Sequence, residues 1–143
     1  MLRLSIALAI VFVSLVFADG KPSNIEVGIG TGLSYISTEK NFAPSVHVHL
    51  SKDISEHFSL GIGYEALLDE DEHHIVGVRL GYYTPFGVVL SYMPGVYVNK
   101  DGRVSHHFEA MKLLPISSVH FGIFTAVSVE KDPHYTLGVH LGF

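Results

Sequence analysis

The nine residues Tyr135-Thr-Leu-Gly-Val-His-Leu-Gly-Phe143 constrain the fold more than any other stretch. Tyr135, Leu137, Val139, Leu141 and Phe143 share one phase of a two-residue repeat, and Thr136, Gly138, His140 and Gly142 share the other. Successive side chains of a strand point to opposite faces. The segment therefore makes a strand that is apolar towards one environment and small or polar towards another.

The same alternation recurs about every 12 to 18 residues, broken by turn chemistry, which predicts an all-β meander rather than βαβ units. Eight runs start near Asn24, Ala43, Glu56, His74, Phe86, Val104, Val119 and Tyr135. In the third, Phe58, Leu60, Ile62, Tyr64 and Leu68 oppose His57, Ser59, Gly61, Gly63 and Glu65. The sixth is less regular, because His106 and Lys112 fall in phase with Phe108 and Ala110. Pro94-Gly95 predicts a bulge or an early end of the fifth, since proline cannot donate to the ladder.

Connections alternate in character. The first, third, fifth and seventh carry charge (Thr38-Glu-Lys-Asn41, Asp69-Glu-Asp-Glu-His-His74, Asn99-Lys-Asp-Gly-Arg103, Glu130-Lys-Asp-Pro-His134). The others (Lys52 to Glu56, Thr84-Pro85, Pro115 to Ser118) are mostly shorter or less charged. An up-and-down barrel with two chemically different ends produces this pattern.

The polar face decides which side is inside. Eleven of the 14 glycines lie on it, with clear charge only at Glu26, Glu65, Arg79 and Glu109. A water-facing exterior needs about a quarter to a third of its positions charged. This face is therefore the crowded lumen, where an eight-stranded barrel has room only for small residues between a few large ones. The apolar face then meets lipid, with aromatic girdles of Phe58, Tyr82, Phe86, Phe121 and Phe143 at one rim and Tyr35, Tyr64 and Tyr135 at the other.

The remaining composition agrees. Residues 1–18 read as a signal peptide, with Arg3, an apolar core from Leu4 to Phe17 and Val16-Phe17-Ala18 before the cut, leaving 19–143 as one barrel domain. Without Arg3 the formal charge moves from −5 to −6, so nucleic acid is not an expected partner. There is no cysteine, hence no disulfide framework.

Together the leader, the eight runs and the ending Leu137-Gly-Val-His-Leu-Gly-Phe143 resemble the small eight-stranded outer-membrane barrels of Gram-negative bacteria, the group that includes the OmpA transmembrane domain and OmpX. The resemblance implies an antiparallel up-and-down transmembrane β-barrel after a cleaved signal peptide, located in the outer membrane. It also implies that the Phe143 strand is read by the outer-membrane assembly machinery. Activity does not follow from architecture.

Six histidines (His47, His49, His57, His107, His120 and His140) are expected in the lumen with Glu26, Glu65, Glu109 and Arg79. A hairpin centred near residue 72 would set Glu65 opposite Arg79. These groups read as a structural polar plug. The sharper alternative is a catalytic site in which His107 and Glu109 join Ser91 or Ser128 as base, orienter and nucleophile. His47 and His49 share a face, but zinc needs three or four converging ligands, which a sequence does not display. No metal or cofactor is expected. The resulting expectation is a monomeric, non-catalytic barrel in contact with outer-membrane lipids, with a structural or interaction role. Its rivals are an enzyme of lipid A acyl chemistry and a soluble periplasmic barrel holding an apolar ligand.

Overall fold

The computed structural model describes residues 25–69, 73–98, 103–116 and 119–143, and the signal peptide expected over residues 1–18 lies outside them. Eight strands follow in order: β1 (Ile25–Ile36), β2 (Asn41–Asp53), β3 (Phe58–Leu67), β4 (His73–Tyr83), β5 (Val88–Tyr97), β6 (Val104–Ile116), β7 (Val119–Val129) and β8 (His134–Gly142). Each pairs antiparallel with the next, and β8 closes on β1, giving a closed up-and-down barrel. At the seam Val27 and Phe143 exchange backbone hydrogen bonds of 3.1 and 3.0 Å, carrying the closure to the last residue. One end, the loop end, carries the β1–β2, β3–β4, β5–β6 and β7–β8 connections. The other, the turn end, carries the remaining three and the free ends of β1 and β8.

Alternation translates directly into two faces. Ile29, Leu60 and Leu137 are 45%, 43% and 66% exposed on the outside, while their neighbours Gly28, Ser59 and Thr136 are buried. Of the aromatics expected at the rims, Phe58 packs on Tyr82 near the turn end and Tyr35 packs on Phe42 near the loop end, both at 5.1 Å between ring centres. The interior is less polar than the sequence suggests. Val89, Met111, Phe124 and Ala126 make one buried apolar cluster, and Ile75, Met93 and Tyr97 another.

Two register expectations are corrected. The β3–β4 hairpin pairs Leu67 with His73, so its centre is residue 70 rather than 72, and Glu65 faces Ile75 while Arg79 faces Gly61. The strand extends one residue into what the acidic run suggested was loop. Because the resulting slip is even, every side chain keeps its face. Pro94-Gly95 neither bulges nor ends β5. Pairing is interrupted between Gly77↔Gly95 and Leu80↔Tyr92 and resumes in the same register, and the strand runs on to Tyr97. Proline removes a donor without adding a residue.

Candidate functional site

The lumen residues fall into three groups, stacked from the turn end to the loop end. In the first, the glycine row of β1 makes room for imidazoles from both neighbouring strands. His49 lies opposite Gly28 and His47 opposite Gly30 on β2, and His140 on β8 also lies opposite Gly30. A Cβ on Gly28 would stand 2.2 Å from His49 Cε1 and 2.4 Å from His140 Nε2, so only glycine permits this approach. The His49 and His140 rings stack 5.0 Å apart, and His47 and His140 stack 5.5 Å apart. Glu26 Oε1 lies 3.8 Å from His49 Nε2, and Glu26 Oε2 accepts a 3.2 Å hydrogen bond from Tyr83.

The middle group centres on Arg79. This residue lies opposite Gly61 on β3 and reaches past it to donate to Ser51 on β2 at 3.3 Å. It also donates to Ser91 at 2.9 Å and lies 3.6 Å from Glu109 Oε1, to which Ser91 donates at 3.1 Å. Glu109 Oε2 in turn lies 3.8 Å from His47 Nε2. A buried charge is tolerable only when paired in this way.

The loop-end group spans the barrel. Glu65 of β3 reaches across the lumen to β6 and β8: its Oε2 lies 3.0 Å from His107 Nδ1, and its Oε1 lies 3.4 Å from His134 Nε2. His134 Nδ1 lies 3.1 Å from Glu130, which accepts from the Tyr97 hydroxyl, and His73 Nδ1 lies 3.4 Å from Asp69. Between the groups, a cavity of about 20 Å³ is bounded by His47, His49, Arg79, His107 and Glu109. It has room for roughly one water molecule.

The site residues expected from sequence are thus distributed as follows. His47, His49 and His140 converge; Arg79 and Glu109 pair; Glu65 and His107 pair. The expected pairing of Glu65 with Arg79 does not occur, because the register sets them four residues apart and each finds a partner across the lumen instead. His120 lies on the inner face by phase, but it stands exposed at the turn end, as does His57 in the β2–β3 turn. His107 does meet Ser128, sharing a 2.8 Å hydrogen bond through Nδ1. Glu109 is not its orienter, and the carboxylate that approaches is that of Glu65, on the same Nδ1. A triad needs the acid on one ring nitrogen and the nucleophile on the other.

His73, His134 and Glu130 were not among the sequence candidates, because they lie in runs that read as charged loops. The signal was available: His73 is in phase with Ile75, Gly77 and Arg79, and His134 with Thr136, Gly138 and His140. On the outer face, polar groups pair with tyrosine. Tyr64 bonds His74 Nδ1 at 2.6 Å and Tyr92 bonds His106 Nδ1 at 2.8 Å, while Lys112 donates to the Phe86 carbonyl in the β4–β5 turn at 2.5 Å.

The fold is similar to that of known membrane barrels. The N-terminal β-barrel domain of Pseudomonas aeruginosa OprF superposes with a TM-score of 0.56 over 85% of this chain and 97% of that one, at 12% identity. A de novo designed transmembrane β-barrel gives 0.54 over 86% and 98%, at 15% identity. No protein-family model matches the chain, and no curated protein matches it.

Proposed function

We propose that this chain is a small monomeric outer-membrane β-barrel of a Gram-negative bacterium, with a structural or interaction role and a lumen plugged by its own side chains. The observation that carries the reading is the outer surface. Ile29, Leu33, Leu60, Ile62, Val78, Leu80, Leu90, Phe108, Ile123, Leu137 and Val139 are all exposed on a barrel in which Arg79, Glu65, Glu109 and most described serines are buried. Soluble monomers rarely expose contiguous apolar patches beyond a few hundred Å², whereas lipid requires such a belt and a closed ladder of backbone hydrogen bonds. The soluble barrel with an oily cavity is disfavoured, because its cavity would have to be lined by these outward residues.

A plugged lumen is supported by the pairing of Arg79 with Glu109 and of Glu65 with His107 and His134, and by the small size of the cavity between these groups. Water-filled porins use about 16 strands. Catalysis on lipid A is disfavoured by the arrangement at His107 and by the inward direction of these groups, since that chemistry must reach a lipid. The partners in this reading are outer-membrane lipids and, through the strand ending at Phe143, the assembly machinery. Fractionation tests it: the protein is expected in the membrane fraction, migrating on a gel at different positions before and after heating. Recovery in the aqueous fraction without detergent would contradict it.

A further inference from the structure

We propose that His47, His49 and His140, with a water molecule as fourth ligand, form a binding site for a single Zn²⁺ ion inside the turn end of the barrel. The three histidines each present a ring nitrogen, and these atoms all lie within 4.8 Å of one another. In a tetrahedral shell with bonds of about 2.0–2.1 Å the nitrogens stand roughly 3.3 Å apart, so ring rotations of about 1.5 Å or less close the shell. The histidines come from the two strands flanking β1, whose Gly28 and Gly30 let the rings lie directly against the β1 backbone and so close to one another.

The unsatisfied chemistry of the rings points the same way. His49 and His140 are buried, 4% and 0% exposed. Nε2 of His47, Nε2 of His49 and both ring nitrogens of His140 have no hydrogen-bond partner among the described residues. The loop-end histidines lie closer to their partners: His107 bonds Ser128, and His73 and His134, whose Nδ1 atoms also lack a hydrogen bond, stand 3.4 and 3.1 Å from carboxylates, against 3.8 Å for His47 and His49. Buried polar atoms in folded proteins are nearly always satisfied, and a metal ion satisfies all three rings at once.

Glu26 borders the set. Tyr83 holds its Oε2, turning Oε1 towards His49. A carboxylate beside a ligand histidine is the outer-shell support that zinc-binding imidazoles usually have. Its side chain is 23% exposed, giving the ion a route from the turn end. Arg79, the nearby cation, faces Glu109, so its charge is balanced outside the site. Three imidazoles suit zinc, copper or nickel better than calcium or magnesium.

The test is calorimetric titration of the purified, folded, chelator-treated protein with ZnCl₂, alongside CoCl₂ as a spectroscopic probe. One saturable zinc per chain is expected, with an intense visible absorption on cobalt binding that marks tetrahedral ligation. His49→Gln and His140→Gln should each weaken zinc binding at least about 100-fold, and the exposed His120→Gln should leave it unchanged. Equal binding by folded His49→Gln and wild-type protein would overturn the proposal, as would no saturable binding at millimolar zinc. If the variants do not fold, the wild-type cobalt spectrum still decides, because absence of the tetrahedral absorption contradicts the site.

Discussion

The Arg79 guanidinium faces Glu109 rather than Glu65: its Nη2 lies 3.6 Å from Glu109 Oε1, and Ser91 bridges the two by accepting from one and donating to the other. Both side chains are nearly inaccessible to water, and removing one partner of such a pair typically costs about 3–5 kcal/mol. Arg79→Leu is therefore expected to lower the unfolding free energy by about that amount, and Glu109→Gln in the same background to restore part of it. Glu65→Gln should add independently, within about 0.5 kcal/mol. A double-mutant cycle by urea denaturation checks this, and coupling of Arg79 to Glu65 instead would contradict the register.

His134 is fully buried between Glu65 and Glu130, at 3.4 and 3.1 Å. Replacing it by alanine removes the imidazole that both carboxylates approach. His134→Ala should cost at least about 2 kcal/mol, whereas His57→Ala in the exposed β2–β3 turn should change stability by no more than about 0.5 kcal/mol. Equal effects in denaturant titration would show that the loop-end network does not support the fold.

Val78 sits midway along β4 on the outer face, 50% exposed. If that face lies in acyl chains, Val78→Arg should destabilise the barrel folded in vesicles by about 2–4 kcal/mol, and Phe42→Arg near the loop end by no more than about 1 kcal/mol. On a water-facing surface neither change would matter much. Equilibrium unfolding from lipid vesicles separates the two cases.

Gly30 has no room for a side chain, since its Cβ would stand 2.2 Å from His47 Nε2. Gly30→Ala forces the imidazole aside and should cost about 1–3 kcal/mol. An unchanged midpoint of unfolding would mean that the ring has space to move that the packing does not indicate.

Strand count, faces and rim aromatics were legible in the sequence because side-chain direction in a strand has a period of two. A closed barrel multiplies that signal eight times. Register was not legible, because Leu67↔His73 pairing depends on how far the ladder runs into an acidic segment that also reads as loop. For the same reason His73 and His134, the first residues of β4 and β8, escaped notice. The inward Val89, Met111 and Phe124 are a different case. Alternation assigns them to the lumen, but nothing in a single run reveals that they meet one another across three strands. The convergence of His47 and His49 with His140 was equally hidden, since it requires the closure of β8 on β1 over a glycine row.

The most direct test of the central claim, lipid outside and polar groups within, uses the absence of tryptophan from the chain. Val78→Trp introduces a fluorophore on the outer face, and Phe124→Trp one on the inner. In vesicles of lipids brominated along their acyl chains, strong quenching of the first and weak quenching of the second are expected. Weak quenching at position 78, with quenching there by a water-soluble quencher instead, would contradict it.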